Sequence, residues 1–239
     1  MTQHQTETMH ALNTDFTVVY IHKGELPVPM GQTNAALRQF FGEIDAGFNG
    51  KNSLPNQRVR HELTNADWST AMRELARVMM RAHAATNGVY APYRHGFQLP
   101  ENLVRAWTIQ KAFTEILQPL LDNGQLVAVA LQGGDDILAG VAQDSDWHWG
   151  FGYTTPANPE RYAYHFELQK PALATVKAGF EQLSIQAQDL ITAVVWADAG
   201  LKEDAVLFTQ TAERQGLQAV LAKGRRELIT IGQPEVAIA

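Results

Sequence analysis

The stretch QLVAVALQGGDDILAGVA, residues 125–142, decides the fold class of this chain. It contains two short apolar runs that are separated by two glycines and two aspartates. Glycine adopts the positive φ angles that hairpin turns require, and aspartate accepts hydrogen bonds from turn amides. The stretch therefore predicts an antiparallel β-hairpin with Gly-Gly-Asp-Asp at its turn.

The turn residues Gly133, Gly134, Asp135 and Asp136 resemble the acidic hairpin turn of the palm domain in CRISPR effector subunits and are similar to the GGDEF motif of diguanylate cyclases. This resemblance implies a palm-type nucleotidyl transferase or cyclase in which two carboxylates hold Mg²⁺. A palm also needs an acid at the end of its first strand, where this chain has Lys23. We therefore interpret the turn as structural and retain Mg²⁺-dependent catalysis at Asp135 and Asp136 as the alternative.

Further strands are predicted on the C-terminal side of this hairpin. Trp147, Trp149, Phe151 and Tyr153 alternate along one predicted strand, and Tyr162, Tyr164 and Phe166 along the next. With an eight-residue loop at 154–161, Phe151 would face Tyr164 in a ladder that we interpret as core, a stacking platform for bases or sugars being the alternative. The strands form a predicted antiparallel meander over residues 125–168, followed by a helix near 172–190, strands near 191–197 and 205–209, a helix over about 211–223 and a strand near 227–231.

The middle of the chain is predicted to be helical. A helix capped by Asn65 would place Trp68, Met72, Leu75 and Met79 on one apolar face, and a second helix is predicted from about Pro100 to Leu121. Grouped helices and grouped strands favour an α+β fold with the helical middle packed on a mainly antiparallel sheet. We expect a flexible tail at 1–14 and a single domain at 15–239, with a division into 15–122 and 123–239 as the alternative.

Three arginines form a second pattern, which we call the arginine stripe: Arg73, Arg77 and Arg81 recur every four residues. At roughly 3.6 residues per turn they share one helix face, opposite the apolar one. Arg58 and Arg60 lie upstream, within a segment, 51–111, that has nine basic and four acidic residues. Guanidinium groups suit acidic partners, since each can donate paired hydrogen bonds to phosphate or carboxylate.

A polar face of the aromatic hairpin gives a weaker candidate site. His148, His165 and Glu167 are predicted to lie on it, and these residue types can bind a metal. Their spacing matches no specific metal motif, so we interpret the face as solvated and keep a metal site there as the alternative.

Composition and motifs limit the function further. The chain has 239 residues, no cysteine and a net charge of -6, so disulfides and thiolate chemistry are excluded. The longest apolar run is too short to cross a bilayer. We therefore predict a cytoplasmic, non-catalytic binding or assembly subunit, without a cofactor or a membrane partner. Its predicted partner is an acidic protein or a nucleic acid in a complex, bound through Arg73, Arg77, Arg81, Arg58 and Arg60.

Overall fold

The computed structural model describes residues 2–24, 30–49, 69–91, 99–155, 158–179, 181–223, 227–232 and 236–238. The strands are β1 Thr2–Ala11, β2 Thr14–Lys23, β3 Ala128–Gly133, β4 Asp136–Val141, β5 Gly150–Thr155, β6 Asn158–Glu167, β7 Ala172–Ala178, β8 Glu181–Ala187, β9 Gln218–Lys223, β10 Glu227–Ile231 and β11 Val236–Ile238. The helices are α1 Met30–Phe48, α2 Thr70–Ala85, α3 Glu101–Ala112, α4 Gln118–Asp122, α5 Leu190–Gly200 and α6 Ala205–Arg214, and a π-helical turn, Phe113–Leu117, joins α3 to α4.

The described strands form two sheets, and all their pairings are antiparallel. The large sheet has eight strands in the order β1-β2-β3-β4-β7-β8-β9-β10, and the small sheet has the order β11-β6-β5. The predicted α+β class with a mainly antiparallel sheet is confirmed. The strands of the predicted meander form two hairpins, β3–β4 in the large sheet and β5–β6 in the small sheet, and β4 pairs with β7 rather than with β5.

Two tight hairpin turns lie at the same end of the large sheet. Leu12 and Asn13 join β1 to β2 and have φ angles of 51° and 56°, as a type I′ turn requires. Gly134 and Asp135 join β3 to β4, and Gly134 has a φ of 59°. The predicted Gly-Gly-Asp-Asp hairpin is therefore present, with glycine at the loop position where a side chain would be strained.

The helices cover one face of the large sheet and form the main core. Alternate residues of β2 point into this layer, and Phe16 meets Phe41 of α1 with ring centroids 4.4 Å apart. The opposite face carries a smaller apolar cluster that includes Ile137 and Leu173, and Trp149 and Phe151 of the aromatic hairpin pack against it. Each face of the large sheet is therefore covered in part by another layer.

Three local predictions are wrong. The predicted strands near 191–197 and 205–209 lie within helices α5 and α6, and residues 172–178 and 181–187 pair as β7 and β8 where a helix was predicted. The run in α5 is buried almost throughout, so it lacks the alternating polar face that identifies a surface helix. In β7, tertiary pairing with β8 overrides the helix propensity of Ala, Leu and Lys. Helix α6 ends at Arg214, and β9 occupies 218–223 of the predicted C-terminal helix.

The N-terminal segment also differs from the sequence expectation. Residues 2–11, expected in a flexible tail, form β1 and pair with β2 at every position from Thr2 to Ala11. Most side chains of β1 are exposed and polar, so its sequence does not have the apolar alternation that predicts a strand. The division into domains is not decided by these elements and stays a prediction. None of the helices in the described residues is both long and apolar enough to span a membrane.

Candidate functional site

A groove of about 350 Å³ lies on the outer side of the helical layer. It is bounded by α2, α3, the π-helical turn and the start of α5, and its lining residues are Glu74, Arg77, Val78, Arg81, Trp107, Gln110, Lys111, Thr114, Glu115 and Ile191. We call it the α2–α3 groove. Its wall combines an apolar part, formed by Trp107, Val78 and Ile191, with three cationic side chains.

Helix α2 supplies one wall because of its amphipathic pattern. Ser69 caps it and accepts a hydrogen bond from the Met72 amide at 3.3 Å. Met72, Leu75, Met79 and Ala82 are buried, which leaves the opposite face to solvent. The predicted cap, Asn65, and the predicted apolar residue Trp68 lie outside the described residues.

The arginine stripe is exposed, as its helical spacing predicts. Arg77 and Arg81 line the α2–α3 groove, whereas Arg73, one turn earlier, does not. The stripe is therefore divided between the groove and the open surface. Arg58 and Arg60, predicted to extend it, lie outside the residues that the structure describes.

Helix α3 supplies the opposite wall through Trp107 and Lys111. The Lys111 ammonium lies 5.5 Å from the centre of the Trp107 ring, 3.3 Å from a carboxylate oxygen of Glu74 and 3.2 Å from one of Glu115. Burial lowers the pKa of Lys111, but hydrogen bonds and charge from Glu115 and Glu74 outweigh it and raise that pKa. Lys111 is therefore a fixed cation that links α2 to the π-helical turn.

The π-helical turn widens the helix beside the groove. Pro119 has no amide hydrogen, so the carbonyl of Glu115 has no partner four residues ahead, and the Gln118 amide bonds instead to the Phe113 carbonyl. Thr114 and Glu115 of this turn line the groove. Such single π turns inside helices are frequent at functional sites.

The start of α5 lies against the same groove. Asp189 caps this helix and accepts hydrogen bonds from the Thr192 amide at 2.8 Å and from the Thr192 hydroxyl at 2.7 Å. Gln110, a groove residue, accepts hydrogen bonds from the amides of Leu190 and Ile191 at 3.1 and 3.3 Å. The amides of the first turn of α5 are therefore already paired, with the Asp189 carboxylate and with Gln110.

The groove suits a ligand that is both flat and anionic. Arg77, Arg81 and Lys111 give three positive charges, and Glu74 and Glu115 together neutralise part of this charge near Lys111. Arg77 and Arg81 make no ion pair with another described residue, and both side chains are exposed. The arrangement can bind an aromatic molecule that carries phosphate or carboxylate.

The Gly-Gly-Asp-Asp turn lies at a different place, at the end of β3 and β4. Asp136 is buried and accepts from Arg105 of α3, with Nε and Nη2 at 2.8 and 2.7 Å from the same oxygen. Asp135 is half-exposed and faces Lys177 of β7 at 2.7 Å. Asp136 is the first residue of β4, whereas Asp135 belongs to the turn, and each carboxylate has its own cationic partner.

Burial is the dominant influence on Asp136. It raises the pKa of Asp136 to about 6, although the charge and hydrogen bonds of Arg105 and an amide hydrogen bond from Thr175 act in the opposite direction. The glycines are required by packing as well as by the turn. A Cβ on Gly133 would lie 2.7 Å from the ring of Phe16, so this position admits only glycine without rearrangement.

The aromatic hairpin has a register that differs by two residues from the predicted one. Phe151 lies opposite Phe166 and Tyr153 opposite Tyr164, with an irregularity after Tyr153, so the predicted eight-residue loop is too long. An even shift keeps the same side chains on the same face. Trp149 and Phe151 are half-buried against the large sheet, and their rings stack with centroids 6.0 Å apart.

The predicted polar face is only partly assembled. His148 Nδ1 lies 3.4 Å from a carboxylate oxygen of Glu167, and both side chains are exposed, while His165 lies opposite Gly152. Within the described residues, no group of three or more His, Cys, Asp or Glu side chains is placed to hold a metal ion.

By sequence the chain matches no protein-family profile and no curated protein. By structure it is similar to proteins of known structure over nearly its whole length. The ApbE protein of Thermotoga maritima has a TM-score of 0.73 at 12% identity over 96% of this chain and 97% of that one. The flavin transferase ApbE of Vibrio cholerae has a TM-score of 0.67 at 10% identity over 97% and 98%, and the flavinyl transferase ApbE of Pseudomonas stutzeri, in its apo form, 0.67 at 13% over 98% and 94%. These values establish a shared fold.

The fold corrects the functional expectations from sequence. A non-catalytic subunit that docks an acidic protein or nucleic acid is wrong, because the full-length structural neighbours are named as enzymes that transfer flavin. The palm-type alternative at Asp135 and Asp136 is wrong on the same finding. The expectation of a protein without a cofactor also conflicts with this fold, whose solved examples handle flavin.

The sequence predicts the charged residues of the groove but not which helices come together to form it. Arg77 and Arg81 were found through their spacing, but Trp107 and Lys111 lie more than twenty residues away on another helix. The two signals available in the sequence are the Lys111 and Glu115 pair, four residues apart, and Pro119 inside a continuous apolar helix. Neither identifies a ligand site until α2 and α3 are placed side by side.

Proposed function

We propose that this protein is a flavin-binding enzyme of the flavin-transfer class and that the α2–α3 groove holds the flavin. The observation that carries the proposal is a groove with an apolar part and one cationic rim, formed by Arg77 and Arg81, in a fold whose solved examples include flavin transferases. Flavin ring systems are flat and largely apolar, and flavin nucleotides carry phosphate. Both properties are complementary to the lining of this groove.

The side chains of the groove have separate roles in this proposal. Val78, Trp107 and Ile191 contact the ring system, and Trp107, which is only 5% exposed, is held rigidly by the core behind it. Arg77 and Arg81 bind the phosphate group, since they lie one helical turn apart on the rim. Lys111 is already paired with Glu74 and Glu115, so it supports the wall between the two helices.

The experiment compares riboflavin, which has no phosphate, with flavin mononucleotide. Flavin fluorescence is titrated with the parent protein, with an Arg77→Gln/Arg81→Gln double variant and with an Arg73→Gln control from the same stripe. We expect the parent to bind flavin mononucleotide more tightly than riboflavin. We expect the double variant to lose about tenfold or more in affinity for flavin mononucleotide alone, because two charge-assisted hydrogen bonds are removed.

The control separates the groove from general surface charge. Arg73 lies outside the groove, so Arg73→Gln should bind both flavins as the parent does. A parent that binds neither flavin would overturn the proposal. Equal losses in the double variant and the control would place the ligand elsewhere on the surface.

A further inference from the structure

Strand β1 forms an edge of the large sheet and is unusually open to pairing. It is the first strand in the order of the eight and pairs with β2 along one side over all ten of its residues. Its other side faces no strand among the described residues. The opposite edge of the sheet, β10, has only five residues.

β1 lacks most of the features that usually protect an edge strand, although Glu7 on its helix-facing side is charged and is paired with Arg38 of α1. Its sequence, TQHQTETMHA, contains no proline, lysine or arginine, and its register with β2 has no bulge. Edge strands of natural proteins are generally short, bulged, covered or marked by lysine or proline, because unpaired backbone groups recruit other strands. A regular edge of this length is therefore a surface for strand pairing.

The turn into β2 determines which backbone groups face outward. Ala11 and Thr14 flank a two-residue type I′ turn, so each donates a backbone hydrogen bond to the other. Hydrogen-bonded pairs alternate along an antiparallel ladder, so the other odd-numbered residues of β1 also bond to β2. The amides and carbonyls of the even-numbered residues therefore point away from β2. These residues are Thr2, His4, Thr6, Thr8 and His10.

We propose that β1 pairs with β1 of a second copy of this chain, antiparallel, about a two-fold axis that passes beside Thr6 perpendicular to the sheet. In this register Thr6 lies opposite Thr6 of the second copy and His4 opposite Thr8, so all outward amides and carbonyls of the overlap are paired. A two-fold axis of this direction keeps the helical layers of both copies on one face.

Charge selects this register over its neighbour. It places Glu7 of one copy, which is paired with Arg38 of α1, opposite the uncharged Gln5 of the other. A register centred on Glu7 would place two Glu7 and Arg38 pairs opposite one another, with the two carboxylates facing each other across the strands. A register centred on Gln5 shortens the overlap, so the pairing through Thr6 gives the longest ladder without facing like charges.

The proposal does not depend on the flavin site. The α2–α3 groove is formed by α2, α3, the π-helical turn and α5, whereas β1 contacts β2 and α1. Pairing through β1 would join two eight-stranded sheets into one continuous sheet. A C2 contact of this kind is isologous, so the same strand serves both copies.

The first test measures the mass of the protein in solution by light scattering coupled to size exclusion. The parent should have about twice its chain mass of 26.5 kDa. Thr6→Pro removes an outward amide without touching a hydrogen bond to β2, so this variant should have the mass of one chain. Thr6→Val keeps the amide and should stay a dimer, which controls for loss of the side chain.

The second test fixes the register through a disulfide bond. The chain has no cysteine, so a single Thr6→Cys substitution places one thiol on each copy across the axis. Directly opposed hydrogen-bonded residues have Cα atoms about 5.5 Å apart, within the range that a disulfide spans. With oxidised glutathione as the oxidant, Thr6→Cys should give a covalent dimer on a non-reducing gel.

Thr8→Cys is the matched control on the same strand and the same face. Its thiol would lie opposite His4 of the second copy, so it should give no covalent dimer. A monomeric parent at concentrations of about 0.1 mM would overturn the proposal. A dimer that survives Thr6→Pro, or that does not crosslink through Thr6→Cys, would overturn pairing through β1.

Discussion

Arg105 of helix α3 binds Asp136 of strand β4 through Nε and Nη2, which lie 2.8 and 2.7 Å from one oxygen of the carboxylate. Asp136 is 1% exposed, and Arg105 is 24% exposed at its side chain. The pair therefore joins the helical layer to the large sheet at the Gly-Gly-Asp-Asp turn. A second pair, Lys177 with Asp135, involves the neighbouring carboxylate of the same turn, and its side chains are 40% and 44% exposed.

Removal of the Arg105 side chain should destabilise the protein far more than removal of the Lys177 side chain. Arg105→Ala leaves a buried carboxylate without its partner, which costs about 3–5 kcal/mol of unfolding free energy. Lys177→Ala removes an exposed pair worth roughly 0–1 kcal/mol. Urea unfolding at neutral pH measures the loss of unfolding free energy in each variant. Similar small losses in the two variants would contradict a structural role for the Arg105 and Asp136 pair.

The contribution of Asp136 to the unfolding free energy should fall as pH rises from about 4 to 6. Burial raises the pKa of Asp136 from 3.8 to about 6, so in this window the folded protein keeps a proton that the unfolded chain releases. The unfolding free energy then falls by roughly 3 kcal/mol across the window. Below 3.8 the contribution is fully present, and above 6 it is lost.

Other carboxyl groups titrate in the same window, so the measurement is a difference between two proteins. Asp136→Asn cannot ionise at this position and retains the size of the side chain. The unfolding free energy of the parent minus that of Asp136→Asn should therefore decrease between pH 4 and pH 6. A difference that is constant across the window would show that Asp136 does not titrate there.

The sequence predicts structure best where the turn chemistry and the side-chain alternation agree. The β3–β4 hairpin, with Gly134 at a positive φ, is an example, and α2 is another because its apolar residues repeat on one face. The prediction from sequence fails where tertiary contacts determine the secondary structure. Helix α5 is buried nearly all round, so its residues carry no amphipathic pattern. β1 is exposed, so only its pairing with β2 reveals it as a strand.

The candidate site was predicted only in part, for a geometric reason. The spacing of Arg77 and Arg81 places them on one exposed face, which the structure contains. Their function depends on which element faces them, and that element, α3 with Trp107 and Lys111, is remote in sequence. A charge pattern in one helix therefore predicts an exposed face without indicating which element lies opposite it.

Two glycines should respond in opposite directions to alanine. A Cβ on Gly200 of α5 would lie 2.6 Å from both Leu183 and Phe208, so Gly200→Ala should destabilise the protein by about 1–3 kcal/mol through overpacking. Gly42 lies inside α1 with no heavy atom within 4 Å of a Cβ there, and Gly42→Ala should stabilise it by about 0.5–1 kcal/mol. Thermal unfolding gives both values. A stabilised Gly200→Ala variant would mean that the contact between α5 and β8 is loose.

Trp149 should stabilise the contact between the aromatic hairpin and the large sheet. Its indole Nε1 donates to the carbonyl of Gly140 at 3.2 Å, and its ring stacks on Phe151 and packs on the outer face of the sheet. Trp149→Ala should cost about 3 kcal/mol, at the low end of the range for truncation of a buried aromatic because the ring is half-buried. Trp149→Phe keeps most of the apolar contact and loses the hydrogen bond, so it should cost about 1 kcal/mol. Urea unfolding of the three proteins orders them as parent, Trp149→Phe and Trp149→Ala, whereas a Trp149→Ala variant as stable as the parent would leave this ring free to serve as a stacking surface for a ligand.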